Sequence, residues 1–435
     1  MLLPIYNLEM IKRAGAAKTV FGTGGSLVVD KCQICSQTNL KSVIFLGYLP
    51  PVNQMHPIGS KPKEQPSYPA QLLYCPKCHL TQLGLVVDPM VIFPLEYPYT
   101  SGTTKILREN FADLAKEVKQ IIGLNKKDLV VDIGSNDGTL LSNFVSESLV
   151  LGITPEDIGH LAIKRGIPTI LEYFRKETVV KVKKEFGKAK IITAANVFAH
   201  IENVNEVLDN IISLLDSDGV FISESHYLYS LIQTLQYDTI YHEHLRYYSL
   251  VTLKYLLESR GLEIFHAKQI PTHGGSIRVY AAKKGLYPVQ KSVAKILSKE
   301  KGSVTSIKNL LKFKDKVVLS KLELSKVLFD LKKKGKRIFG ISAPSRASTL
   351  INYVGLDRDV LDCVVEVKGS YKIGKYIPGT LIPVIDEKEL YSKQPEYALL
   401  LSWHIASELV PKLKKNGFKG KFIIPLPRPK IVSKL

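Results

Sequence analysis

The sequence predicts an α/β protein in which a Rossmann-like domain is flanked by a small zinc-binding N-terminal subdomain and by a second, smaller C-terminal α/β domain. Three observations predict it. Two Cys-x-x-Cys pairs stand at Cys32/Cys35 and Cys75/Cys78. An apolar strand runs into a glycine turn at residues 128–141, and a second strand-turn-helix pattern begins at Arg337, after a lysine-rich helix. At 435 residues the chain is too long for one core. The expected division is an extension at 1–30, a zinc-binding subdomain at 31–95, the Rossmann-like domain at 96–285, and a basic helix with the C-terminal domain at 286–435.

Mean hydropathy is near zero, as expected of a soluble globular chain. No run of 18 apolar residues suggests a membrane span, and the N-terminus lacks the pattern of a secretory signal, so a cytoplasmic location is expected. Residues 1–30 read as a poorly ordered extension with no recognisable chemistry. The formal charge of +20 raises nucleic acid as a partner, but residues 281–340 hold 17 Lys or Arg against 4 Asp or Glu. There Leu310, Phe313, Val317, Leu324, Leu328 and Leu331 recur at helical spacing, so the lysines decorate the solvent face of an amphipathic helix. Nucleic acid is therefore not the expected partner. A monomer or homodimer is expected.

In chain order, the two cysteine pairs can bring four thiolates tetrahedrally onto one Zn²⁺, and four thiolates leave no open position, so the site reads as structural. Tyr97 and Tyr99 lie on a Pro-punctuated loop where alternate aromatics can face one ligand or cover a core edge. Residues 107–122 have a helical apolar period. The run Asp-Leu-Val-Val-Asp-Ile-Gly-Ser-Asn-Asp-Gly-Thr-Leu-Leu at 128–141 reads as a buried strand, a turn and the start of a helix, the first βα unit of the Rossmann-like sheet. Asn136 occupies the place where a dinucleotide fingerprint needs its second glycine, which argues against NAD. The turn suits S-adenosylmethionine, with Asp132 placing its ammonium and Gly134, Ser135, Asn136 and Gly138 forming the cradle. The next strand ends near Gly152, with Glu156 beyond its tip. The strand beginning at Ile191 leads to Asn196 and His200, on the side where such sheets bind ligands. A further strand is expected at 219–225, and a tight turn at His273 feeds a last strand containing Arg278.

Residues 237–249, Tyr-Asp-Thr-Ile-Tyr-His-Glu-His-Leu-Arg-Tyr-Tyr-Ser, follow no amphipathic period. A strand would present Tyr241 with Glu243, or His242 with His244, to one pocket; a helical turn would pair Tyr241 with His244. Either arrangement offers proton transfer, because imidazole titrates near working pH and Glu or Tyr can orient it or hydrogen-bond a developing oxyanion. A polar surface loop is the bland alternative. Histidines two apart do not match the four-residue spacing of helical zinc proteases.

Taken together these motifs resemble the S-adenosylmethionine-dependent sugar C-methyltransferases of deoxysugar biosynthesis, whose central domain is a class I methyltransferase fold. The resemblance spans roughly residues 31–427. It rests on the two cysteine pairs, Tyr-Pro-Tyr-Thr-Ser-Gly at 97–102, Gly-Ser-Asn-Asp-Gly-Thr-Leu at 134–140, Asn-Val-Phe-Ala-His-Ile at 196–201, Tyr-His-Glu-His at 241–244, His-Gly-Gly-Ser-Ile-Arg at 273–278, Gly-Lys-Tyr-Ile-Pro-Gly at 374–379 and a closing Pro-Leu-Pro. It implies a nucleotide-linked 4-keto-6-deoxyhexose as substrate, deprotonated at C3 to an enolate that takes the methyl group. It implies His244 as base, supported by Tyr241 and Glu243. Sugar contacts would come from His200 and from Tyr97 or Tyr99, and substrate contacts also from His273, Arg278, Arg346 and Lys372. Asn196 and Glu156 would join the cofactor site. The chain departs from the family at Thr154, where an acid is usual at the second strand tip, so the ribose contact falls to Glu156 or another group. It departs again at Gly340-Ile-Ser342 with Arg346, and at Val367 beside Glu366. Two other functions remain open: a methyltransferase of this architecture with a non-sugar acceptor, and a non-catalytic zinc-containing module that binds an acidic polymer.

Overall fold

The computed structural model describes residues 16–17, 25–60, 65–93 and 100–435. Tyr97 and Tyr99 lie outside the described residues. The N-terminal part holds two small antiparallel sheets. One combines β1 (Ala16–Ala17), β2 (Ser26–Val28) and β6 (Leu85–Val86); the other contains β3 (Lys41–Leu49), β4 (Tyr68–Tyr74) and β5 (Thr81–Leu83). β2 corrects the expectation of a poorly ordered stretch through Asp30. Leu27 and Val28 pair with Val86 and Leu85, and the Ser26 hydroxyl accepts from the Asp88 amide at 3.0 Å, so pairing with a segment distant in sequence overrides the weak local pattern.

The central sheet is built from β7 (Leu129–Ile133), β8 (Leu149–Ile153), β9 (Thr169–Ile170), β10 (Ala189–Ala195), β11 (Leu215–His226), β13 (Leu262–Ile270) and β14 (Ser276–Lys283). Its order is β13-β14-β11-β10-β7-β8-β9, parallel from β11 to β9, with β14 antiparallel to both neighbours. The strand order reverses at β7/β10, and such a switch point opens a crevice at the carboxyl ends of the strands. All five residues of β7 are buried, as a strand covered on both faces requires.

The helix expected directly after the glycine turn is not formed. Asn136 (φ 51°) and Gly138 (φ 76°) are left-handed, and the Asp137 carboxylate accepts from the Thr139 amide and hydroxyl at 3.2 and 2.7 Å. Turns replace the helix, leaving one 3-10 segment at Leu141–Asn143. The helix Lys105–Ile121 covers this region instead, packing Leu107, Phe111 and Leu114 in one core with Leu140, Leu141 and Phe144.

The C-terminal sheet has the order β17-β16-β15-β18-β19-β20, where β15 is Ile338–Ile341, β16 Cys363–Glu366, β17 Val384–Asp386, β18 Tyr397–Leu400, β19 Lys421–Ile424 and β20 Lys430–Val432. The basic helix runs over Ile307–Lys333 and buries Leu310, Phe313, Val317, Leu324, Leu328 and Leu331, each worth ~1.5–3 kcal/mol of transfer free energy. That row joins one apolar core with Val43, Ile44 and Leu72 of the N-terminal sheet, Val364 and Leu399 of the C-terminal sheet, and Tyr237, Ile240 and Tyr247. Residues 237–249 therefore sit where the three parts meet. Their short strand β12 (Arg246–Tyr247) pairs antiparallel with β5 and completes the second N-terminal sheet. Among the described residues no helix is long and apolar enough to cross a membrane.

Candidate active site

The two cysteine knuckles repeat one geometry. After Cys35 and after Cys78 the chain turns left-handed, at Ser36 (φ 57°) and His79 (φ 60°). The Ser36 and His79 amides donate to the Cys32 and Cys75 carbonyls at 2.9 and 3.0 Å. The four sulfurs lie within 4.8 Å of one another, with Cys32–Cys78 at 3.4 Å and Cys35–Cys75 at 3.5 Å. Four thiolates at ~2.3 Å from a tetrahedral Zn²⁺ would stand ~3.8 Å apart, so the residues fit a structural zinc ion. The His79 ring is not needed there, and its Nδ1 is 2.6 Å from the Tyr74 hydroxyl.

At the switch point, the residues expected to hold the cofactor gather around the turn after β7. Gly134 is left-handed (φ 70°), and a Cβ on it would lie 2.4 Å from a Val197 methyl, so only glycine lets the turn meet the loop after β10. The Ser135 hydroxyl and the Asn196 side-chain oxygen are buried without a protein partner, so two polar atoms stand ready for a ligand. Asp132 is buried and accepts from the Thr193 hydroxyl at 2.6 Å; burial, with Glu224 nearby, pushes its carboxyl up to about 7. Glu156 reaches the same turn, where burial raises its carboxyl while the Asn136 side chain partly offsets that shift by hydrogen bonding. The Asn136 oxygen accepts from the Ser101 amide at 2.9 Å, and Asp137 accepts from the Gly102 amide at 3.2 Å.

Residues 237–249 fold as a 3-10 turn at Tyr237–Thr239, a second turn closed by the His244 amide on the Tyr241 carbonyl at 3.0 Å, and then β12. The second turn brings Tyr241 and His244 together, with ring centres 4.2 Å apart. His244 Nδ1 lies 2.9 Å from the Thr239 carbonyl oxygen. A carbonyl can only accept, so Nδ1 carries the proton and Nε2 keeps its lone pair. Burial, reinforced by His200, His273 and Arg346, holds the His244 imidazole neutral, well below its usual pKa. The His200 ring is 5.0 Å away, and burial lowers it to about 4. His226 is 4.6 Å from His244 and stacks on His273 at 5.2 Å.

Arg346 supplies the fixed cation of this cluster. Its guanidinium is 3.3 Å from Asp238 and donates to His404 Nδ1 and to the Gln236 side-chain oxygen, each at 2.8 Å; Asp238 also accepts from the Trp403 indole at 2.7 Å. Its charge reaches His226, His244, His273 and Tyr241. The Glu243 carboxylate turns toward the N-terminal part, accepting from Asn53 at 2.6 Å. Lys372 lies on that side, donating to the Ala343 carbonyl at 2.5 Å; burial lowers its ammonium while Glu366 and Glu243 oppose the shift. His242 also faces the N-terminal part, edge-on to Tyr68 and 3.3 Å from the Pro69 carbonyl.

The structure thus brings His244, Tyr241, His200, His273 and Arg346 into one cluster, in which His200 and His273 are half-buried, and sets Glu243 and Lys372 beside it. It does not bring Arg278 there. The Arg278 side chain is fully buried in β14, bonded to Glu224 at 2.5 Å, Glu117 at 2.7 Å and Asp113 at 3.2 Å beneath the helix Lys105–Ile121. This corrects its expected substrate contact, because the antiparallel register places Arg278 opposite Glu224 inside the sheet. The sequence reading missed His226, Gln236, Asp238, Trp403 and His404. The position of His226 at the end of β11 was the available signal.

Three family models match the chain: "Putative zinc binding domain" over residues 32–93, "Methyltransferase domain" over 106–267 and "C-methyltransferase C-terminal domain" over 271–427. The C-methyltransferase NovU of Streptomyces niveus is 30% identical over 412 residues, covering 93% of this chain and 97% of that protein. Among solved structures, the magnesium protoporphyrin IX methyltransferase of Synechocystis PCC 6803 is 15% identical, with a TM-score of 0.33 over 41% of this chain and 83% of its own. The plantazolicin methyltransferase BpumL is 13% identical, with a TM-score of 0.34 over 46% and 92%.

Proposed function

Because the chain belongs to the C-methyltransferase family, we propose that it methylates carbon 3, alpha to the keto group, of a nucleotide-linked 4-keto-deoxysugar, with S-adenosyl-L-methionine as donor and His244 as base. The observation that carries the reading is the Thr239 carbonyl on His244 Nδ1. It leaves a neutral imidazole with one free nitrogen, enclosed beside a fixed cation. A neutral nitrogen of this kind can accept a proton from carbon.

The residues around the glycine turn fit the donor: unpartnered Ser135 and Asn196 oxygens suit its polar tail, and the carboxylates of Asp132 and Glu156 suit an ammonium and ribose hydroxyls. When bound there, S-adenosyl-L-methionine supplies an electrophilic methyl group on a sulfonium. His244 Nε2 takes the proton from C3, and the C–H electron pair moves toward the keto oxygen as an enolate. Arg346 faces the cluster with its charge, and Tyr241 lies against the base as a phenol held protonated by burial, so both can meet the developing oxyanion. Asp238, Gln236 and His404 fix the guanidinium, so no reorganisation is needed when that charge appears. His200, His273 and Lys372 are proposed to hold the nucleotide sugar. Glu243, tied to Asn53, is proposed to link that contact to the N-terminal part. The chain is proposed to act in the cytoplasm, as a monomer or homodimer.

Incubating the chain with S-adenosyl-L-methionine and a panel of dTDP-, GDP- and CDP-linked 4-ketosugars tests the reading. The expected product is one of these sugars carrying a new methyl group on carbon 3. Cofactor binding with no transfer to any ketosugar would instead favour an acceptor of another class.

A further inference from the structure

His226 touches the base but has no part in the chemistry above. It ends β11, 4.6 Å from His244 by ring centre, and stacks on His273 with the planes 18° apart. The groups that act on it are His244, His273, Arg346 and His200, and with burial they hold it neutral, well below the usual pKa of histidine. His226 and His273 are partly accessible, whereas His244 is 5% exposed. His273 is itself left-handed (φ 55°) between Thr272 and Gly274, and its Nε2 is buried without a protein partner.

The proposed reaction, on which this inference rests, leaves His244 with a proton on each nitrogen. That imidazolium stands among His200, His273 and Arg346, each of which disfavours its charge. Nδ1 cannot release its proton to the Thr239 carbonyl, so the abstracted proton leaves from Nε2 before another substrate is deprotonated. Tyr241 is closer, but a neutral phenol is a poor proton acceptor. Of the imidazoles around His244, His226 at 4.6 Å is nearer than His200 at 5.0 Å.

We propose that His226 is the proton-exit residue of the site, taking from His244 the proton abstracted from the acceptor carbon and releasing it to solvent from its partly accessible edge. The carbon–hydrogen bond breaks and a nitrogen–hydrogen bond forms on His244. That bond then breaks as one forms on the free nitrogen of His226, which loses its other proton to solvent. The electron pair stays with the substrate, and no oxidant or reductant enters. His226 acts through His244 and is a positioning residue in this sense.

The test is quench-flow methyl transfer by His226→Phe, which keeps a ring to stack on His273 and removes both nitrogens. The sugar nucleotide is whichever of the dTDP-, GDP- or CDP-linked 4-ketosugars accepts methyl. The expected result is a burst of one product per enzyme followed by steady-state turnover slowed ~100-fold, within the range of a lost proton-transfer group, with added imidazole restoring the slow phase. His226→Gln, measured in the same way, covers the case in which the phenylalanine variant does not fold. Steady-state turnover at the wild-type rate would overturn the proposal. So would equal slowing of the first and later turnovers without imidazole rescue. Failure of the base reading itself shows separately, as full turnover by His244→Ala.

Discussion

His244 donates its Nδ1 proton to the carbonyl oxygen of Thr239 across 2.9 Å, and this one bond fixes both the tautomer and the direction of the ring. A backbone carbonyl keeps that role at any pH at which the chain is folded. A carboxylate partner would instead raise the imidazole pKa and favour the charged form. The choice of partner thus agrees with a base that must be neutral before it acts.

Activity should therefore be flat through neutrality and fall only in acid, because burial, with His200, His273 and Arg346 close by, places the His244 pKa well below its usual value. A pH profile of kcat/KM with no inflection between pH 6 and 7 is the expected outcome; an inflection near the ordinary histidine pKa of ~6.5 would assign the base elsewhere.

Stability should share that acid sensitivity. His200, His242 and His273 are lowered to about 4 by burial, so between that value and the unfolded pKa of ~6.5 the unfolded chain binds more protons than the folded one. Stability is fully present above the unfolded value and is lost as pH falls through the window. Urea titrations at pH 7, 6 and 5 should give steadily falling midpoints, whereas a constant midpoint would mean that these rings are charged in the folded chain.

Removing zinc should inactivate the enzyme although the metal lies outside the imidazole cluster. β12 pairs with β5, and His242 rests against Tyr68 and Pro69, so the folded N-terminal part holds the segment that carries His244, the proposed base. Cys78→Ser is expected to lower bound zinc and methyl transfer together, read by metal analysis and activity on the same sample. Full activity in a zinc-free sample would separate the two.

Arg278→Met should unfold the domain rather than weaken substrate binding. It leaves the Glu224 and Glu117 carboxylates without their buried cation, a loss of ~3–5 kcal/mol. Denaturation should show that loss, while any folded fraction keeps its KM. A raised KM at unchanged stability would return Arg278 to the substrate site.

Much of this was legible in the sequence because it depends on local pattern. The cysteine pairs, the apolar row of the basic helix and the strand before the glycine turn each declare themselves within a few residues. The glycine turn misled at one point, since left-handed Asn136 and Gly138 end the geometry that would have started a helix. Arg278 misled because a strand sequence does not say which partner lies across the ladder. The Thr239 carbonyl could not be seen at all, because every residue offers one. Asp238, Trp403, His404 and Arg346 meet only when the C-terminal sheet docks, over 100 residues from Asp238 in sequence.

The central claim is that His244 takes a proton from carbon, and the most direct measurement follows that proton alone. The chain is incubated in D₂O with its accepted 4-ketosugar nucleotide and without methyl donor, and loss of the C3 proton signal is followed by NMR. Wild-type protein should exchange the C3 proton, and His244→Ala should slow exchange ~100-fold or more while binding S-adenosyl-L-methionine as before. Exchange by His244→Ala at the wild-type rate would contradict the account.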